Sequence, residues 1–209
     1  MIVVILGPDG TGKSSVIDRL QSGLTNAFSQ IRVFHLRPRL GLGTARIGPP
    51  VVNPHSSHAR HPILSAVKLL YLLGDYSTVY LWKWSLRLRR QSTLIIFDRY
   101  YHDILVDPKR YRYGAPIWLA RQIGHLVPNP DLWILLDASP ELIRSRKQEV
   151  TFEEIVRQCE QYRELVSRFR DAVIVDASQS LEEVVQTVKQ LILEYGSKVS
   201  HRRDISRST

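Results

Sequence analysis

Two patterns of apolar positions alternate along the chain. Five short stretches are apolar almost without interruption: Ile2 to Leu6, "IRVFHL" over 31–36, "STLIIFDRY" up to Asp98, "PDLWILLDA" up to Asp137 and "DAVIVDA" up to Asp176. Runs of this length, rich in β-branched residues, predict strands buried on both faces. Helical periods lie between them. From Lys13, the residues Val16, Ile17, Leu20 and Leu24 fall on one face of a predicted helix. From Pro62 to about Gln91 the chain is apolar on most sides, which predicts a helix inside the fold, with Pro62 in its first turn. Ser139 with Pro140 starts another helix, and the pairs Thr151 with Glu154 and Ser180 with Glu183 have the spacing of capping boxes. The last helix draws its core face from Leu181, Val184, Val185, Val188, Leu191 and Ile192. Strands alternating with helices predict an α/β fold: a five-stranded parallel sheet, helices on both faces, and ligands beyond the carboxyl ends of the strands.

Two segments break this pattern. Residues 37–61 hold four of the chain's prolines and show neither period, as expected of a long functional or partly ordered loop. The stretch "GSKVSHRRDISRST" from 196 to 209 also lacks a period and reads as a basic, mobile tail behind a single domain over 1–195. No repeat or low-complexity tract appears.

Composition narrows the class. At 209 residues, 44% hydrophobic and 23% charged, the chain suits one well-buried core. The first apolar run is too short for a secretory core and leads into a glycine turn, so a cytoplasmic protein is expected. Lys68 and Asp75 interrupt the only candidate membrane span, and charge at bilayer depth is costly. The lone Cys159 can form no internal disulfide and reads as a packed thiol. Net charge is +9, and no acidic residue occurs between Asp18 and Asp75, so this part of the chain should attract an anion. His35, His55, His58 and His61 have spacings that match no compact metal site.

The strongest chemical signal is "GPDGTGKS", which matches GxxxxGK[ST] from Gly7 to Ser14 and joins a buried strand to an amphipathic helix. Glycines at Gly7, Gly10 and Gly12 let backbone N–H groups turn inward, and the helix N-terminus adds positive potential. Asp9, Thr11 and Ser15 complete the loop. Lys13 reaches the β and γ phosphates and Ser14 holds Mg²⁺, so the expected ligands are ATP and Mg²⁺ in a phosphate-loop kinase fold.

With that loop in place, "GPDGTGKSS", "FDRYYHD", "PDLWILLDASPELIRSRK" and "VIVDASQSLEEVV" resemble the thymidylate kinase family in order and spacing, over about residues 1–195. The resemblance implies a nucleoside monophosphate kinase fold with a small lid over about 144–153, and a homodimer built on the helix from 63 to 90. It implies that Asp9 approaches the acceptor sugar, and that Arg99 and Arg37 hold the acceptor phosphate. Asp98 would organise Mg²⁺ through water or orient the attacking oxygen, and Arg144, Arg146 and Lys147 would be lid cations. Plainer roles stay open: Asp98 as a helix cap, Arg99 in a structural ion pair, and the three lid cations as dipole partners at a helix end.

Three departures from the family pattern fall on the acceptor side. Arg37 runs directly into Pro38 where the family has Arg-Glu-Pro-Gly. Tyr76 follows Asp75 where the family's thymine-reading arginine would stand, and "YHDILVDPKRYRYG" replaces the family's serine and glutamine. The acceptor therefore stays open between a nucleoside monophosphate and a sugar or glycan end. A polynucleotide 5′-hydroxyl kinase, or a nucleotide-gated nucleic-acid binder, is the reading suggested by the arginines interleaved with aromatics.

Overall fold

The opening apolar run becomes the middle strand of the sheet. In the computed structural model, which describes residues 1–36, 58–88 and 92–205, β1 (Ile2–Leu6) lies between β3 (Thr93–Asp98) and β4 (Leu132–Asp137). The edges are β2 (Gln30–His35) and β5 (Ala172–Asp176), giving the order β2-β3-β1-β4-β5 with every pair parallel. The central position of β1 explains its pattern, because helices cover both of its faces and every side chain in it is buried.

Alternation along β1 divides the core in two. Ile2, Val4 and Leu6 pack with Phe97 and Trp133 beneath α2 (Pro62–Leu88) and the C-terminal half of α6 (Phe152–Ser167). Val3 and Ile5 pack on the other side against α1 (Lys13–Gly23) and α7 (Leu181–Ile205). Two short helices, α3 (Asp103–Val106) and α4 (Ile117–Gly124), follow β3, and α5 (Pro140–Arg146) follows β4. Neither α3 nor α4 has a sequence signal long enough to predict it.

The caps follow the sequence with one change. Ser139 accepts the N–H of Leu142 and Thr151 that of Glu154, while Ser180 and Glu183 bond each other reciprocally. The Glu154 carboxylate is drawn to Arg157 and Gln158.

Two expectations need correction. Helix α2 is not enclosed: Leu69, Leu72 and Tyr76 are buried, but Ile63, Leu64, Val67, Leu70 and Tyr71 on its other side are exposed, Ile63 by 67%. A helix apolar on most sides can be covered by its own sheet along one stripe only. The tail also differs, because α7 continues to Ile205 instead of ending near 195. A Cβ built on Gly196 would stand 3.8 Å from Phe28 and 3.9 Å from Met1, so the helix still runs beside the core at that point. No helix among the described residues is long and apolar enough to cross a membrane.

Parallel register brings the strand ends together. His35 is aligned with Asp98, Ile5 with Asp98, and Asp137 with Asp176. The strand-end residues His35, Asp98, Asp137 and Asp176 are thereby gathered on one rim.

Candidate active site

The loop leaving β1 has the backbone that a phosphate cradle requires. Gly7 and Gly10 adopt φ of 142° and 99°, and a Cβ on Gly7 would stand 2.6 Å from the Leu136 carbonyl oxygen. At Gly12, φ is 88° and a Cβ would meet nothing within 4 Å, so its backbone conformation demands glycine while open space lies above it. Thr11 closes the turn by donating to the Pro8 carbonyl at 2.9 Å. Ser14 and Ser15 begin α1 on its exposed side.

Lys13 is folded into this loop. Its ammonium donates to the carbonyls of Gly7 at 2.6 Å and Pro8 at 2.8 Å and lies 3.8 Å from the Asp9 carboxylate. Burial, with the Arg99 guanidinium nearby, lowers its pKa to about 8, against the partial pull of Asp9 and Asp98. The folded value lies below the unfolded one, so the charged lysine opposes folding at all pH below about 8, and this cost is relieved as pH rises from about 8 toward 10.5. Phosphate binding needs the ammonium. The expected result is that kcat/KM for ATP declines above about pH 8; a flat profile from pH 7 to 9.5 would overturn this role for Lys13.

Asp98 ends β3 with its carboxylate accepting from His35 Nδ1 at 2.9 Å. Burial works to raise its pKa, but the His35 hydrogen bond and Lys13 outweigh it and hold the carboxylate ionised. Next comes Arg99 in the left-handed region with φ of 75°, a conformation that a non-glycine residue keeps only where its surroundings impose it. That turn points the buried guanidinium at Asp9, and Nη1 lies 3.9 Å from the fully buried Asp103. Asp103 is braced by the Tyr100 N–H at 2.7 Å and by the Tyr162 hydroxyl. Asp9 also takes a guanidinium on its other oxygen, from Arg110. Burial pushes the Asp9 carboxyl up, but Arg99, Lys13 and Arg110 together hold it well below the usual carboxylate range.

The three cations expected in a lid go to different places. Lys147 pairs with Glu149 at 3.0 Å and lines the cleft above Asp9, together with Arg99, Arg110 and Gln158. Arg146 donates to the Ala177 carbonyl at 3.0 Å, and Arg144 lies over the Phe152 ring at 5.8 Å. Asp137 is held by a bidentate contact from Arg163 at 2.8 and 3.0 Å. Tyr76 is fully buried with its hydroxyl on the Leu36 carbonyl. Arg37 lies outside the described residues.

The donor set fits Mg²⁺. Among the described residues no group of three or more His, Cys, Asp or Glu could hold a metal by itself. A hydroxyl and one ionised carboxylate beside a phosphate cradle are what Mg²⁺ uses when substrate phosphates and water supply its other ligands. Ser14, a hydroxyl at the start of α1, and Asp98, an ionised carboxylate at the end of β3, are of those two types. Asp103 and Glu149 are the members of this cluster that sequence order did not single out, while His35 entered only among the histidines and Arg110 only within the run of arginines and aromatics. His35 joins Asp98 across the sheet, and Asp103 and Glu149 are joined to Asp9 through Arg99 and Arg110.

The family profile described as thymidylate kinase matches residues 5–188. A probable thymidylate kinase of Archaeoglobus fulgidus is 35% identical over 109 residues, which cover 47% of this chain and 52% of that protein. One from Sulfolobus acidocaldarius is 28% identical over 122 residues, covering 53% and 60%. The chain thus spans about half the length of the curated relatives it matches. A solved deoxyadenosine kinase from M. mycoides, with dCMP and dCDP bound, superposes with a TM-score of 0.56 over 93% of this chain and 99% of that one at 16% identity, a likeness of fold.

Proposed function

Since this chain belongs to the thymidylate kinase family, we propose that it moves the γ-phosphoryl group of Mg·ATP to a small anionic acceptor, a nucleoside monophosphate, in the cytoplasm. Residues 1–195 act as one kinase domain with the lid at about 144–153. The observation that carries this reading is the pairing of Lys13 and Arg99 around Asp9: one cation for the donor phosphates, and one beyond the strand end for a phosphate the acceptor already bears.

Phosphoryl transfer is mainly positioning and charge stabilisation, so the chain needs no covalent nucleophile. Lys13 leaves its carbonyl partners for the β and γ phosphates, and the loop's inward N–H groups hold them in line. Arg99 orients the acceptor phosphate, and Asp98, kept ionised by His35, turns the attacking oxygen toward the γ phosphorus. Lid cations exclude water from the closed site. Ser14 and Asp98 are the residues that would hold Mg²⁺, which when bound would neutralise charge on the donor phosphates.

Tyr76 supports a second acceptor class. The residue in place of the family's base reader is buried and committed to Leu36, which favours a phosphorylated sugar or glycan end lacking a base. The test is ADP release from Mg·ATP with thymidylate, the other nucleoside monophosphates, nucleosides, free and phosphorylated sugars and a 5′-hydroxyl oligonucleotide. Turnover of a nucleoside monophosphate supports the first reading. A signal from sugar phosphates alone replaces it with the second, and turnover of the oligonucleotide alone overturns both.

The exposed apolar side of α2 is the surface on which we place the homodimer that the family resemblance implies. Sedimentation at micromolar concentration should give a species of twice the chain mass. A monomer would end that assignment.

A further inference from the structure

We propose that Arg110 is a further guanidinium, opposite Arg99, for the acceptor's phosphate, and that it couples the lid to acceptor binding. The inference rests on the kinase reading above but concerns a residue that the loop motif and the strand-end pair do not include.

The turn carrying Arg110 is a fixed platform. The Arg110 N–H donates to Asp107 Oδ1 at 3.1 Å, and the Arg112 and Tyr113 amides close onto the Lys109 and Pro108 carbonyls, each at 2.9 Å. Helix α2 and the strand of chain before it hold the far side. Lys68 donates to the Tyr111 carbonyl at 3.1 Å, Ser65 accepts the Gly114 N–H at 3.0 Å, and Arg60 N–H reaches the Arg112 carbonyl at 2.9 Å. Arg112 adopts a left-handed φ of 51°, so the turn is bent against its intrinsic preference.

From this platform the Arg110 guanidinium reaches across to the phosphate loop and the lid at once. It pairs with Asp9 from the loop and with Glu149 Oε2 of the lid at 3.3 Å, and its Nε lies 3.7 Å from Asp107. Glu149 in turn holds Lys147 at 3.0 Å. Asp9 is thus gripped on its two oxygens by two guanidiniums, Arg99 and Arg110. Two forks converging on one small anion is an arrangement suited to a phosphate, whose three oxygens and greater charge make it the stronger partner for both.

The cleft among these groups has about 10 Å³ of free space, room for about one water. Its cations and carboxylates therefore neutralise one another, and an acceptor phosphate enters by exchanging places with the Asp9 carboxylate. When Arg110 turns to the phosphate, Glu149 keeps only Lys147 from this chain of pairs, and the lid segment, freed from this resting tie to the loop, closes over the donor phosphates. Lid position then reports whether the acceptor is present, which guards the donor against transfer to water.

The test fills the phosphate loop with Mg²⁺ and a non-hydrolysable ATP analogue and then titrates inorganic phosphate by calorimetry. In the wild-type protein a phosphate site remains beyond the analogue. Arg110→Ala weakens that site about tenfold or more and leaves the analogue's affinity unchanged. Arg110→Lys recovers only part, because an ammonium cannot fork. Glu149→Gln, which removes the lid's competing carboxylate, tightens phosphate binding roughly threefold, and this variant carries the test should Arg110→Ala not fold. Phosphate affinity unmoved by Arg110→Lys and Glu149→Gln, with the analogue bound, removes the inference and leaves the kinase reading standing. Failure of the analogue to bind the wild-type protein removes both.

Discussion

Lys13→Ala is expected to lower kcat/KM for ATP by roughly a thousandfold, about 4 kcal/mol of transition-state stabilisation, without lowering the melting temperature. The two halves of this result have separate causes. Catalysis fails because the Lys13 ammonium, which lies inside the loop against Gly7 and Pro8, is the cation placed for the donor phosphates, while Arg99 and Arg110 are held on Asp9. The fold survives because the buried ammonium is held at a cost. Its pKa, lowered by burial from 10.5 to about 8, means that the folded protein disfavours the charged lysine near neutral pH. Steady-state kinetics with a thermal melt checks both. Undiminished turnover would sink the phosphate-loop mechanism, and a lower melting temperature would show that Lys13 is a structural prop.

Arg99→Lys should lower kcat/KM for the acceptor about a hundredfold, near 2.7 kcal/mol, while changing the KM for ATP little. The substitution keeps the charge and removes the fork. One guanidinium now faces both Asp9 and the buried Asp103, and an ammonium on a flexible stem cannot hold that geometry from a left-handed turn. Asp103 also makes the variant a test of folding. Burial already pushes its carboxyl up against the pull of Arg99, so any displacement of the cation leaves a fully buried carboxylate less compensated. A melting temperature reduced by a few degrees is the expected accompaniment. An effect confined to ATP affinity would reassign Arg99 to the donor side.

What was legible in the chain was whatever local spacing can encode. The continuous apolar runs are the five parallel strands, ending at Asp98, Asp137 and Asp176 as their patterns predict. The helical faces of α1 and α7 are the ones read from Val16, Ile17 and Leu20 and from Val184, Val188 and Ile192. GxxxxGKS determined the loop, because its glycines supply the positive-φ backbone that the turn adopts at Gly7, Gly10 and Gly12.

Other features depended on elements that meet only in space. Leu181 sits on the predicted core face of the last helix yet is 38% exposed, because it lies at the helix start beyond the reach of α1 and the sheet. The exposed side of α2 could not be told from a buried one, since hydrophobicity reports what a surface needs and not what covers it. The site shows the same division.

Lys13, Ser14, Asp98 and Arg99 were named by motif and by position at a strand end. The sequence by itself therefore determined a phosphate-loop α/β fold and the residues proposed for its donor side. Only the tertiary structure decided that His35 holds Asp98, that Tyr76 is spent on Leu36, and that Arg110 joins Asp9 to Glu149. These pairs lie 63, 40, 101 and 39 residues apart along the chain. Charge attraction acts through space with no memory of sequence distance, so the acceptor side becomes readable only once the parallel sheet has brought its strand ends to one rim.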